Sequence, residues 1–282
     1  MIHTDCPITV RPMQRHELPS AIEWARQEGW NPGLHDADAF WAADPHGFFV
    51  AEADGEIVGC FSAVAYDESF AFGGFFIVRP DFRRTAAGML LWRHVVRVVG
   101  ERNLGGDGVL ERLKAYTDLG LSVAHHSIRF EGRCEAAATR EFTPAAEAPF
   151  DLLAAYDRGM FPAPRTEFLR LWIAPPEGLA LCAMDGGAIR GYGVIRRCYS
   201  GLKVGPLFAD DAGVGEGLLD ALTSPYVGET FYLDVPEPNA AAMAIASTRG
   251  MAEVFRTGRV YSKAAPPIDL ARVFGVTTFE LG

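Results

Sequence analysis

One short stretch, residues 78–92, combines two arginines, a run of small residues and the beginning of an apolar helix. A strand is predicted to end at its start, and a helix to cover residues 87–99. The first amides of a helix have no intrahelical acceptor, and the helix dipole favours negative charge beside them. Small residues let a diphosphate approach the backbone, and arginine adds positive charge. The stretch therefore predicts an anion-binding loop, for which a plain strand–turn–helix corner is the alternative.

The residues before this loop follow the patterns of a strand, two helices and then a hairpin. Asp54-Gly55 separates two alternating apolar runs, which predicts a tight turn between two strands. The strand over residues 70–78 follows and contains Gly73 and Gly74. Because glycine inside a strand often marks a β-bulge, we expect this strand to be irregular just ahead of the loop.

A helix over residues 109–116 and a strand over residues 122–130 complete the order β-α-α-β-β-β-α-β-α-β, which is typical of one α/β domain. The second half repeats this order, with a hairpin around residues 185–187 and similar spacings between its later elements. Repetition on this scale indicates an internal duplication. We therefore expect an N-terminal domain, a linker and a C-terminal domain, at residues 1–132, 133–147 and 148–282.

The loop resembles the pyrophosphate loop of the GNAT superfamily of N-acyltransferases, which reads R-x-x-G-x-G/A between a strand and a helix. The corresponding residues are Arg83, Ala86 and Gly88, so alanine replaces one glycine, and Arg84 stands where many members carry a further glycine. Residues 113–121 resemble the A-x-x-x-Y-x-x-x-G-F segment of the same superfamily. The resemblance covers residues 7–132 and, more loosely, residues 148–262.

The resemblance implies a fold and a cosubstrate. The fold is α/β (α+β), with two tandem GNAT-like domains that each contain a mixed, mostly antiparallel sheet flanked by helices. The cosubstrate is an acyl-CoA, in the first place acetyl-CoA, whose pantetheine arm would bond to the backbone around Ile77 and Val78. The residues implied to bind it are Phe76, Ile77, Val78, Arg83, Arg84, Thr85, Ala86, Ala87, Gly88 and Met89.

The resemblance also assigns catalytic roles. Tyr116 matches the tyrosine that protonates the departing thiolate, and a phenol with a pKa near about 10 suits a thiolate of similar basicity. A core tyrosine that packs its helix on the sheet is the alternative. The candidates for a general base are Glu68, at the start of the irregular strand, and Asp107, before the helix of Tyr116. Each could instead be a solvated turn residue.

The acceptor is expected to be a primary amine of a small molecule or a peptide. In this superfamily the first two helices and their connecting loop build part of the acceptor pocket, which places Trp30, Asn31 and Trp41 near it. Trp30 could equally anchor the loop in the core. A CoA- or ligand-binding regulatory module without turnover is the alternative function.

The second half lacks the features of an anion-binding loop. At the matching position it carries Asp210 and Asp211, which would repel a diphosphate at close range. We therefore expect the C-terminal domain to bind no CoA and to pack against the acceptor site. Residues 274–281 are unusual enough to indicate specific packing, without pointing to a function.

Composition excludes several other classes of protein. A formal net charge of −10 argues against a nucleic-acid partner, which requires a basic face. The five cysteines are scattered, so reduced thiols are expected, and the histidines lack metal-ligand spacing, so no metal is expected. Neither a membrane-spanning segment nor a signal peptide is recognised, so no membrane partner and a cytoplasmic location are expected. The chain could be a monomer or a homodimer.

Overall fold

The computed structural model describes residues 7–137 and 140–282. The first half contains six strands and four α-helices within that part of the chain: β1 (Ile8–Pro12), α1 (Leu18–Gln27), α2 (Asp36–Ala43), β2 (Phe48–Ala53), β3 (Glu56–Ala65), β4 (Phe70–Val78), α3 (Ala87–Val99), β5 (Asn103–Val109), α4 (Leu113–Asp118) and β6 (Ser122–Arg133).

The second half repeats much of this order over the described residues and adds short strands at either end: β7 (Thr143–Pro144), α5 (Phe150–Asp157), α6 (Thr166–Trp172), β8 (Leu179–Asp185), β9 (Ala188–Arg197), β10 (Leu202–Ala209), α7 (Ala212–Thr223), β11 (Thr230–Pro236), α8 (Ala240–Thr248), β12 (Ala252–Tyr261) and β13 (Val273–Gly275). Single 3-10 turns lie at Arg15–Glu17, Pro80–Phe82, Leu110–Arg112, Ala145–Glu147, Ser224–Tyr226 and Leu270–Arg272.

Turn chemistry identified both predicted hairpins correctly. The β2–β3 turn has Asp54 and Gly55 at positive φ, and the β8–β9 turn has Gly186 and Gly187 at positive φ. One predicted boundary was wrong, because the helix expected from residue 109 begins as α4 at Leu113, after a 3-10 turn. The residues before it form β5, whose glycine-rich sequence carries no alternation and which is held by pairing with strands on both sides.

Helix α3 covers one face of the first half's sheet. Leu91, Trp92, Val95 and Val99 are buried there, whereas Val98 is exposed. Leu91, Val95 and Val99 are four residues apart, so they lie on the same face of the helix, and Val99 rather than Val98 continues that face. Each fully buried side chain of this size stabilises the fold by about 1.5–3 kcal/mol. This packing fixes the N-terminus of α3 against β3 and β4.

The two halves share one continuous sheet because they exchange their late strands. The order is β1-β2-β3-β4-β5-β12-β6-β11-β10-β9-β8-β7, and β13 also pairs with β10. Strand β12 of the second half pairs with β5 of the first, with Arg259 opposite Asp107. Strand β6 of the first half lies between β12 and β11, with Arg129 opposite Asp234. A division into covalent domains at residue 132 therefore does not divide the sheet.

The described residues also bear on the remaining expectations from composition. Cys60, Cys134, Cys182 and Cys198 are free, buried thiols, and Cys6 lies outside the described residues. Among residues 7–137 and 140–282 no group of three or more side chains is arranged to hold a metal ion. No helix in the same part of the chain is long and apolar enough to cross a bilayer.

Candidate active site

A cavity of about 340 Å³ opens where β4 and β5 separate. The two strands pair in parallel only as far as Gly73 opposite Gly106. Beyond that point β4 contains a bulge, because the pairing of β3 with β4 changes register between Cys60 and Ser62. Phe75 takes up the irregularity with a φ of 50°, so the bulge lies just after the two glycines that predicted it. The separation leaves one edge of β4 open to a ligand.

Most of the predicted site residues line this cavity. Those that line it are Trp30, Phe76, Ile77, Val78, Arg83, Thr85, Gly88, Met89, Asp107 and Tyr116. Those that lie outside its lining are Asn31, Trp41, Glu68, Arg84, Ala86 and Ala87.

The first turn of α3 presents free amides to the cavity. The Thr85 amide donates to the Phe82 carbonyl at 3.0 Å, and the Ala87 amide donates to Thr85 Oγ1 at 3.3 Å. The amides of Gly88 and Met89, in the first turn of α3, donate to no acceptor among the described residues. Two free N–H groups at a helix N-terminus make a binding site for an anion.

Arg83 is fixed at the side of this loop. Its Nε donates to the Val78 carbonyl at 3.0 Å, and its guanidinium also pairs with Glu28, at the end of α1. Glu28 lines the cavity as well. The arginine therefore brings no uncompensated positive charge to the loop, while Arg84 is exposed and lies outside the cavity lining.

Tyr116 stands over β5 at the cavity wall. A Cβ on Gly108 would lie 2.7 Å from the Tyr116 ring, so only glycine lets the ring lie against this strand. The hydroxyl makes no hydrogen bond to the described residues, and the side chain is half-buried. Burial raises the pKa of the phenol, and the positive charge of Arg112 partly opposes this rise. The phenol is therefore protonated at neutral pH and free to donate its proton.

The two predicted bases differ sharply in their surroundings. Asp107 is buried, and its carboxylate oxygens accept from Arg259 Nε at 2.9 Å and Nη2 at 2.7 Å. Burial raises the pKa of Asp107, and the guanidinium of Arg259 counters part of that rise. Glu68 is fully exposed on the β3–β4 turn, 3.5 Å from Arg102, and the structure does not bring it to the cavity.

Of the three residues predicted for the acceptor, the structure places one in the cavity. The Trp30 carbonyl accepts from buried Arg129 at 2.7 Å and from buried Lys203 at 3.3 Å. The Asn31 side chain instead exchanges two hydrogen bonds of 2.9 Å with the backbone of residue 200 in the second half. Trp41 stacks on Phe48 at 5.6 Å in the core.

The second half contributes lining residues that sequence reasoning missed. Phe255, Thr257 and Val260 reach the cavity from β12, and Phe279 reaches it from the C-terminal segment. That segment lies directly against β4, since a Cβ on Gly74 would be 1.8 Å from the carbonyl oxygen of residue 280. The unusual composition of residues 274–281 was the one signal in the sequence for this contribution, and it did not indicate where the segment lies in the fold.

The equivalent cleft in the second half is filled by the chain itself. Strands β10 and β11 pair only as far as Val204 opposite Leu233, and β13 then pairs with β10 at Leu207 and Phe208. The N-terminus of α7 is capped by the Asp211 side chain, which accepts from an amide at 3.0 Å. Both the strand edge and the helix terminus that face the cavity in the first half are therefore occupied by the chain itself here.

Comparison with known proteins agrees with this geometry. A family profile described as the acetyltransferase (GNAT) family matches residues 14–124, and one described as the acetyltransferase (GNAT) domain matches residues 153–275. The chain belongs to the GNAT superfamily of acyltransferases. The two matches together cover most of it, one in each half, as the resemblance in the sequence implied.

Individual relatives span nearly the whole chain. It is 26% identical over 277 residues to a protein named holothin acyltransferase from Pseudoalteromonas sp. (strain SANK 73390), covering 97% of this chain and 94% of the relative. A proposed acetyltransferase from Pyrococcus horikoshii has a similar fold, with a TM-score of 0.83, 17% identity and coverage of 98% and 96%. A tandem GNAT protein from the clavulanic acid biosynthesis pathway has a TM-score of 0.63, 14% identity and coverage of 92% and 100%.

Proposed function

We propose that the first half transfers an acyl group from acyl-CoA, with acetyl-CoA as the leading donor, to a primary amine by direct attack. The observation that carries this is the cavity itself, which combines the free amides of Gly88 and Met89 with the unpaired edge of β4 and the hydroxyl of Tyr116. The second half, whose cleft is filled, is proposed to bind no acyl-CoA and to complete the acceptor side.

The residues fit the shape and charge of the donor. The two free amides suit a diphosphate, and Gly88 has open space around it, since a Cβ added there would meet its nearest side-chain atom only at 3.7 Å. The unpaired edge of β4 from Phe76 to Val78 offers backbone groups to an amide-bearing arm, as a strand edge does to a peptide. Of the other residues implied by the resemblance, Arg84, Ala86 and Ala87 would act through the loop backbone only.

The reaction then needs one proton to be delivered and one to be removed. The amine nitrogen attacks the thioester carbonyl, the new C–N bond forms, the C–S bond breaks, and the thiolate takes the phenolic proton of Tyr116. The nitrogen loses its proton to water. Asp107 is the one predicted base within the cavity, and we propose that it orders this water, because both of its oxygens already accept hydrogen bonds from Arg259.

Tyr116→Phe tests the proposal because it removes only the hydroxyl. Since that hydroxyl makes no hydrogen bond to the described residues, the variant should keep its thermal stability and its affinity for acetyl-CoA, measured by calorimetry. Loss of a general acid should lower kcat, followed by thiol release, by about 10²–10⁴-fold. Tyr199→Phe, on an exposed loop of the second half, is the matched control. Wild-type kcat in the Tyr116 variant would remove the assigned acid.

One observation favours the alternative of a binding module without turnover. Arg83, the arginine of the loop motif, is already neutralised by Glu28 and offers no spare charge to a diphosphate. Calorimetric binding of acetyl-CoA without thiol release on any amine would support that alternative. Absence of binding would remove both functions.

A further inference from the structure

Three aromatic side chains form one side of the cavity, and we call Trp30, Phe255 and Phe279 the aromatic wall. They come from the α1–α2 loop, from β12 and from the C-terminal segment. The rings of Phe255 and Phe279 lie 6.1 Å apart at 44°. Because the segment that carries Phe279 packs directly on Gly74, the wall stands at the point where β4 and β5 separate, away from the free amides of α3.

The buried side chain of Arg129 contacts the members of the aromatic wall. Its guanidinium lies 4.9 Å from the ring centre of Phe279 and 5.6 Å from that of Phe255, and it donates to the Trp30 carbonyl at 2.7 Å. The same guanidinium is fixed by two hydrogen bonds to Asp234, at 2.7 and 2.8 Å, and both residues are buried. A single anchored cation thus contacts two rings of the wall and the backbone of its third member, which fixes their relative positions.

Most of the charged side chains in the cavity lining form ion pairs. Within the described part of the chain, the charged side chains in the lining are Glu28, Arg83, Asp107 and Arg112. The first two pair with each other, and Asp107 pairs with Arg259. Arg112 is exposed, and its charge acts on the phenol of Tyr116. Among the described residues of this lining, a carboxylate-bearing acceptor would meet no unpaired cation except Arg112, and a polycationic acceptor would meet no unpaired carboxylate.

We infer that the acceptor is a small, flat, apolar amine of the arylamine or heteroarylamine class, whose ring packs on the aromatic wall while its nitrogen faces the separated strands. This inference rests on the proposed function. Ring–ring contacts of this kind contribute roughly 2- to 12-fold in affinity each. An arylamine nitrogen is also unprotonated at neutral pH, so it can attack without a strong base, which suits a cavity in which the Asp107 carboxylate is held by Arg259.

An acceptor panel tests the class. Thiol release from acetyl-CoA is measured with 4-methoxyaniline, phenethylamine, leucine and spermidine as acceptors. We expect kcat/KM for the arylamine to exceed each of the others by at least about tenfold, and to change little between about pH 6 and pH 8.5, where the activity with phenethylamine should rise as its ammonium deprotonates. Equal or better activity with leucine, spermidine or phenethylamine at neutral pH overturns the inference and leaves the proposed acyl transfer intact. Thiol release with none of these amines counts against both.

Substitutions in the wall test which residues determine this specificity. Phe279→Ala should raise KM for 4-methoxyaniline by about tenfold or more and leave the affinity for acetyl-CoA within about twofold, because the wall lies away from the helix amides. Phe279→Leu, which keeps an apolar side chain but no ring, should give a smaller rise. If the alanine variant does not fold, Phe255→Leu serves in its place, with the same expected split between the two substrates. Equal weakening of both substrates, or of neither, overturns the inference.

Discussion

Gly74 is the position where one added carbon atom should most damage the side of the cavity that we propose for the acceptor. A Cβ there would lie 1.8 Å from the carbonyl oxygen of Glu280 and 2.8 Å from its carbonyl carbon. Both atoms are backbone, so no side-chain rotation relieves the contact. The β4 strand and the C-terminal segment must separate by more than about 1 Å before Gly74→Ala reaches an ordinary contact distance.

The size of the effect follows from that displacement. Overpacking of a filled core costs about 1–3 kcal/mol, which lowers Tm by roughly 2–12 °C in a protein of this size. The moved segment carries Phe279, and a misplacement of about 1 Å near the reacting atoms costs about 10²-fold in rate. We therefore expect kcat/KM for the amine to fall by about that factor, with the affinity for acetyl-CoA retained.

Gly73→Ala is the matched control. A Cβ at Gly73 would come closest to the side chains of Phe61 and Leu104, at 3.3 and 3.4 Å, which can yield by a few tenths of an ångström, and the nearest backbone atom lies at an ordinary contact distance of 3.6 Å. Thermal unfolding, calorimetry with acetyl-CoA and thiol release with the best amine are measured for both variants. A Gly74→Ala protein with wild-type Tm and wild-type kcat/KM would refute the packing of this segment on β4.

Two further predictions concern buried charges. Asp107→Asn leaves Arg259 buried without a counter-charge, so it should lower the free energy of unfolding, measured in urea, by about 3–5 kcal/mol. The double variant Asp107→Leu, Arg259→Met removes both charges and should recover most of this loss. Equal losses in the two proteins would contradict the prediction. Burial raises the pKa of Glu280, whose oxygens accept no hydrogen bond within the described residues. When the pKa of a carboxyl group is higher in the folded protein than its ordinary value of 4.5, the free energy of unfolding falls as pH rises from 4.5 towards the folded-state pKa. The stability of the wild type should therefore decline relative to that of Glu280→Gln from pH 4.5 upward. Parallel stability curves for the two proteins count against this effect of burial.

Local chemistry explains which features of the fold the sequence predicts correctly. Turn residues such as Asp54-Gly55 act through their own backbone, and they located both hairpins. The small residues and the helix pattern after Val78 likewise place a helix N-terminus at the end of a strand, whatever surrounds them. Most of the residues predicted for the site line the cavity, mainly because this loop and the helix of Tyr116 are local features.

The predicted site residues that lie outside the cavity show what local sequence patterns cannot predict. Glu68 and Trp41 have suitable chemistry for a site, but sequence distance does not indicate whether a side chain faces a cavity, the core or solvent. Asp107 does reach the cavity, yet its pairing with Arg259 depends on a residue 152 positions away. Nothing near Asp107 in the chain indicates that its charge is already compensated.

The sequence alone predicted most of the elements, their order, the duplication and the strand–loop–helix corner after Val78, because turns, helix caps and apolar periodicity act over a few residues. Only the tertiary structure decided which strands are neighbours. The strands β6 and β12 occupy equivalent places in the two halves, and an alternating pattern specifies which face of a strand is buried, not which strand lies beside it. The exchange of these strands brings Phe255 to the first half's cavity, and the return of the C-terminal segment brings Phe279. The side of the cavity that we propose for the acceptor therefore depends on long-range pairing.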